Sequence, residues 1–142
     1  MSDTRPKVIS VPEPRSLELI FTPDDETKLQ RDYQIFEGQG PTVSKVVEEH
    51  IAEASFVIGQ PELPRHILQQ AKKLKAILNV ESNFLDNMDY DYCFTNGIHV
   101  LTTGRVFAAP VAEMGLGMAL SLERNIGGAD RAFRAGKELW GG

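Results

Sequence analysis

Apolar residues in this chain fall in short runs separated by amphipathic stretches, and the two alternate along most of its length. Leu17–Thr22 (LELIFT), Ser55–Gly59 (SFVIG), Lys75–Val80 (KAILNV) and Ile98–Thr102 (IHVLT) have the length and composition of buried strands, with a weaker run at Tyr33–Phe36. Thr22-Pro23-Asp24-Asp25 predicts a helix start. Thr22 can cap it, Pro23 suits the first helical position, and the acids through Glu26 favour the positive end of the dipole. Ser44–Ala54 carries Val46, Val47, His50, Ile51 and Ala54 on one helical stripe, and Pro64–Lys73 does the same with Ile67, Leu68 and Ala71. Asp86–Phe94 predicts a short helix closed by Asn96-Gly97, residues that tolerate the left-handed conformation. Strands alternating with helices predict an α/β fold: a flavodoxin-like, doubly wound parallel sheet of about five strands. Its active edge lies at the carboxyl ends of the strands.

Pro110–Ile126 (PVAEMGLGMALSLERNI) breaks this pattern. Pro110 suits a first helical position, and the apolar residues that follow, Val111 to Leu122, wrap most of the circumference. A helix apolar all round has to be covered all round. One five-stranded sheet covers one side, so a second domain or a partner chain is expected on the other. Gly115 and Gly117 weaken the helix and are expected where another backbone comes close. The chain therefore divides into a flexible lead (1–16), a substrate-side domain (17–109), and a long helix and linker (110–142). After Gly127-Gly128 the chain continues as a polar tail compatible with helix (ADRAFRAGKELWGG).

Composition narrows the function classes. A hydrophobic share of 42% beside 25% charged residues is that of a folded globular chain. The net charge is -5 and Lys and Arg are scattered, so no basic face is available for nucleic acid. Cys93 stands alone, which excludes an internal disulfide and a Cys/His zinc site and leaves a small buried group. His50, His66 and His99 share no spacing with a nucleophile or with each other. Met1–Ser16 has no apolar core fit for a secretion signal, and no run reaches the roughly 18 apolar residues of a membrane span. A soluble, cytoplasmic protein is expected, with no membrane partner.

Three segments in order carry a resemblance: Leu74-Lys75-Ala76-Ile77, then Asp86-Asn87-Met88-Asp89 with Gly97-Ile98-His99-Val100, then Val111-Ala112-Glu113 opening a helix to Arg124. Across Phe56–Ile126 the chain resembles the N-terminal, substrate-side domain of D-isomer-specific 2-hydroxyacid dehydrogenases. The resemblance implies a two-domain enzyme that passes a hydride between a nicotinamide and a 2-hydroxy or 2-keto acid. NAD or NADP sits in a second, dinucleotide-binding domain, and the long helix lies at the hinge and at a homodimer interface. The Arg that holds the substrate and the His and carboxylate that handle the proton belong to that second domain. None has a counterpart here, nor does a Gly-x-Gly-x-x-Gly turn following a strand. The chain alone is thus expected to bind no cofactor and to be inactive. Its partners are a small acid and the dinucleotide-binding domain.

The resemblance also assigns residues. In the family a Gly-x-Gly-x-Asp run offers backbone amides to the substrate carboxylate. Here the run is Ser82-Asn83-Phe84-Leu85-Asp86. Ser82, Asn83 and Phe84 are the candidate substrate loop, and Phe84 in a glycine's place leaves open which amides face the substrate. Arg105, Phe107 and Ala108 follow the last predicted strand and are candidates for the cofactor cleft. Asp86 and Asp89 read as a cap and a loop-stabilising acceptor, and Glu113 as a structural acid near a helix start. The alternative is a truncated, non-catalytic paralogue kept for oligomerisation or regulation. A stand-alone flavodoxin is disfavoured by the acidic turn Thr22–Glu26, and a phosphoacceptor domain by Gln60 where an aspartate is needed.

Overall fold

One of the inner strands of the sheet lies inside the supposed flexible lead. A computed structural model of the chain describes residues 3–81 and 83–138. In it Lys7–Val11 forms β1, with Val8, Ile9, Ser10 and Val11 all buried. Pro6 and Pro12 bracket this strand without interrupting it, so they delimit it and do not argue against it. Leu17–Thr22 is not a strand. Leu17–Ile20 makes one helical turn, α1, which buries Leu17 and leaves Leu19 in solvent. A run this short has no periodicity that separates a strand from a helical turn.

The other elements follow the predicted alternation. Helix α2 (Pro23–Asp32) starts as expected, with the Thr22 side chain accepting from the Asp25 N–H. Then come β2 (Gln34–Glu37), α3 (Val43–His50) and β3 (Ala54–Gly59). Helix α4 is the single turn Arg65–Leu68, shorter than its stripe suggested, although Leu68 and Ala71 are buried as that stripe requires. Strand β4 (Ala76–Asn79) is followed by α5 (Tyr90–Thr95) and β5 (His99–Thr102). Asp89 caps α5 by accepting from the Tyr92 N–H at 2.9 Å, so the helix begins four residues later than predicted. Gly97, at φ 73°, supplies the left-handed residue after it.

The five strands run parallel in the order β2-β1-β3-β4-β5. Successive residues alternate between faces. Ile9, Val57 and Ile77 meet Val47 from α3, Ile51 at its C-cap, Leu68 from α4 and Cys93 from α5 in the larger core. Each of these fully buried aliphatic side chains contributes roughly 1.5–3 kcal/mol. Burial pushes the Cys93 thiol up to about 11, as suits an inert packing group. Val8, Ile58 and Val80 face the other way, where α1 and α2 supply Leu17, Ile20 and Leu29. That second face is only partly covered. A depression of about 290 Å³ lies open between Phe21, Tyr33, Ile58, Leu78 and Leu101.

The chain divides into two units, 1–104 and 105–142. In the second, α6 (Gly104–Glu123) includes Pro110 in its interior. Arg105–Ala109 are compatible with helix, and a proline removes one hydrogen bond without forbidding the turn before it. Phe107 and Ala108 are therefore helical. None of the side chains of α6 is buried. At 20 residues and a mean hydropathy of 1.3, it reaches the length and composition of a membrane-crossing helix. This corrects the expectation that no segment does, because a mean over the helix tolerates its glycines and few charges. Gly127 and Gly128 do not break the helix. Asn125 does, at φ 47°, and α7 (Ile126–Arg134) carries both glycines. A side chain at position 128 would collide with the Asn125 carboxamide.

Candidate functional site

In an open parallel sheet, ligands collect outside the carboxyl ends of the strands, where neighbouring strands send their connections in opposite directions. The order 2-1-3-4-5 puts that point between β1 and β3. The segments leaving there are Pro12–Ser16 after β1 and Gln60–Pro64 after β3, with the loop of residues 80–89 after neighbouring β4.

This last loop is the predicted substrate loop, and side chains fasten it along its length. The Asn79 carboxamide, 2% exposed, accepts from the Glu81 N–H at 2.9 Å and donates to the Asn83 carbonyl at 2.6 Å. Gln60 Nε2 donates to the same carbonyl at 3.0 Å. Asn87 Nδ2 donates back to the carbonyls of Gln60 (2.8 Å) and Pro61 (3.1 Å). Leu63 pairs with the far end of the loop, donating to the Asn87 carbonyl and accepting from the Asp89 N–H. The Tyr90 hydroxyl donates to the Leu85 carbonyl at 2.7 Å. The Phe84 ring, 58% exposed, stands edge-on to Tyr90 at 5.0 Å. From the β1 side, Arg15 forms an ion pair with Glu81.

Asn83 and Phe84 thus lie at the carboxyl edge of the sheet, the Asn83 carbonyl held by Asn79 and Gln60 and the Phe84 ring set against Tyr90. Ser82 lies outside the described residues. Arg105, Phe107 and Ala108 are exposed residues in the first turns of α6, in the other unit. Asp89 is structural. Besides capping α5 it pairs with Arg65 at 2.7 Å, and that guanidinium, together with the Tyr92 N–H, holds its carboxyl below the usual range. His50 stacks on Phe36 at 3.7 Å, while His66 and His99 are exposed. Among the described residues no cluster of His, Cys, Asp or Glu could hold a metal.

The described residues do not fit the pyrophosphate of a dinucleotide. That group needs a glycine-rich turn from strand into helix, where backbone amides can approach it. The turn after β1 carries Pro12, Glu13 and Pro14, the one after β3 carries Pro61, Glu62 and Pro64, the loop after β4 has no glycine, and the turn after β5 offers Thr103 and Gly104. The turn after β2 has Gly38 and Gly40, but the Gly40 N–H donates to the Glu13 carboxylate, Pro41 has no N–H, and Val43 stands where a third glycine is needed.

The sequence carries no sign of what fastens this loop. Asn79 was absorbed into the apolar run KAILNV, although one amide in a buried strand has to find partners. Gln60 and Asn87 gave no signal of their own, because their partners lie more than twenty residues away.

Comparison with known proteins agrees with the fold. The family model for the D-isomer specific 2-hydroxyacid dehydrogenase, catalytic domain, matches residues 17–134. The chain is 50% identical to a phosphoglycerate oxidoreductase from Rhizobium etli, covering 97% of this chain and 43% of that one, with a TM-score of 0.73. A D-lactate dehydrogenase from Aquifex aeolicus, solved with NAD and lactic acid, shares the fold at a TM-score of 0.62 and 23% identity, covering 95% of this chain and 39% of that one. A 2-hydroxyacid dehydrogenase of Staphylococcus haemolyticus is 27% identical over 105 residues, 72% of this chain and 33% of that protein. The chain spans a third to under half the length of these relatives.

Proposed function

Because the chain belongs to the D-isomer specific 2-hydroxyacid dehydrogenase family through its catalytic domain, we propose that it supplies the substrate side of an NAD(P)-dependent enzyme. That enzyme passes a hydride between a nicotinamide and a small 2-hydroxy or 2-keto acid. One observation carries the reading: the fastened loop at the carboxyl edge of β4, with Asn83 and Phe84 held by Asn79 and Gln60. Backbone N–H groups fixed at a sheet edge suit a carboxylate. Ser82, Asn83 and Phe84 receive that group in this reading. Arg105, Phe107 and Ala108 form one wall of the cofactor cleft, whose phosphate cradle belongs to a dinucleotide-binding domain. A cytoplasmic location goes with it, since the one thiol, Cys93, is buried and calls for no oxidising compartment.

The same reading makes α6 a homodimer contact. Val111, Met114, Leu116, Met118, Leu120 and Leu122 are all at least half exposed, a contiguous apolar surface of the kind soluble monomers avoid. Among the described residues, a Cβ added at Gly115 or Gly117 meets nothing within 4 Å beyond its chain neighbours and its own helix backbone, so room remains for a second backbone there.

By itself the chain is expected to oxidise no 2-hydroxy acid with NAD or NADP, and to reduce no 2-keto acid. A spectrophotometric assay with and without a separately produced dinucleotide-binding domain tests this. Activity restored by that domain would support the reading, and turnover by the chain alone would contradict it.

A further inference from the structure

We propose that Asn79 and Gln60 are positioning residues that turn the Phe84 N–H outward as a donor to the substrate carboxylate. The inference rests on the reading of residues 82–84 as the substrate loop and says how that loop works with a phenylalanine in a glycine's place.

The Asn83 carbonyl accepts two side-chain amides, from Asn79 at 2.6 Å and Gln60 at 3.0 Å. Both of its lone pairs are engaged, so its direction is fixed toward the body of the domain. Among the described residues the one cis peptide is Glu13–Pro14, which leaves the bond from Asn83 to Phe84 trans. In a trans peptide the N–H points opposite to the preceding carbonyl. Fixing the Asn83 carbonyl inward therefore aims the Phe84 N–H outward. Two donors on the carbonyl also polarise the peptide and strengthen that N–H as a donor.

The fastening groups are themselves held. Asn79 is buried in β4 and its Oδ1 accepts from the Glu81 N–H, which settles which end of the carboxamide faces Asn83. The backbone of Gln60 is tied to Asn87. Glycine would reach the outward geometry through backbone freedom. Here the side chains impose it, and the Phe84 ring lies against Tyr90.

Isotope-labelled chain titrated with pyruvate tests the proposal by NMR. In the wild type, pyruvate should shift the Phe84 amide resonance. Gln60→Met and Asn79→Leu each remove one donor and should weaken pyruvate binding about threefold to tenfold, the worth of one hydrogen bond. Both should keep a dispersed, folded spectrum. If Asn79→Leu does not fold, Gln60→Met decides. Unchanged pyruvate affinity in a folded variant would overturn the positioning role while leaving the substrate loop intact. If pyruvate leaves the wild-type loop unmoved, the reading of that loop fails instead. The positioning role is then judged without ligand, by scalar couplings across the hydrogen bonds from the Asn79 and Gln60 side chains to the Asn83 carbonyl carbon. Their presence, with the Phe84 nitrogen shift moving in both variants, supports it. Their absence overturns it.

Discussion

Replacing Gly59 by alanine is expected to destabilise the sheet domain by about 3 kcal/mol or more. Gly59 ends β3 at φ 120°, a conformation that residues with a side chain rarely adopt, and it pairs with Val11 at the end of β1. A Cβ there would overlap the Val11 carbonyl and come within 3.0 Å of the Pro12 nitrogen. Both neighbours are backbone in the central pair of strands, so no rotamer change relieves the clash. Relief would separate β1 from β3 where Ile9 and Val57 anchor the larger core. A domain of this size has roughly 5–15 kcal/mol in total, so the loss is a large share of it. Denaturant unfolding of the two chains measures the difference. A loss below about 1 kcal/mol would mean that this seam relaxes more easily than its register suggests.

Substituting Met118→Glu together with Leu122→Glu is expected to convert a self-associating chain into a monomer. The two residues are one helical turn apart and share a face of α6. Met118 is 56% and Leu122 83% exposed. Completing the burial of large apolar side chains contributes up to roughly 1.5–3 kcal/mol each. Several together can offset the docking entropy of association. Two carboxylates on that face would have to be desolvated beside each other, which opposes the contact directly. Sedimentation velocity on both chains gives the answer. Association unchanged in the double variant would place the contact elsewhere.

The legible and illegible parts of this molecule differ for physical reasons. Strands β3 and β4 announced themselves because strands buried on both faces are apolar runs, and the edge strand β5, although largely exposed, keeps the apolar Val100 and Leu101. Helix α2 was marked by Thr22 and Pro23, whose roles are local. Strand β1 was hidden because only five residues separate its bracketing prolines, and the residues before it are polar. Helix α1 was mistaken for a strand because one turn has no period to read. Pro110 misled in the opposite direction, since a local preference for a first helical position yields when the flanking residues continue the helix. At the site, the order of three motifs pointed to the loop of residues 80–89 as the candidate. The carboxamides that set its geometry reach it from β4 and from the turn after β3, a juxtaposition that exists only once the sheet has formed.

The central claim is that this chain holds the acid and not the dinucleotide. Isothermal titration calorimetry of the chain with NADH tests it most directly. No saturable heat is expected, because no described strand-to-helix turn carries a complete Gly-x-Gly-x-x-Gly, and in the turn that does hold two glycines, Gly38 and Gly40 after β2, the Gly40 N–H already donates to the Glu13 carboxylate. Saturable binding of NADH would contradict the account.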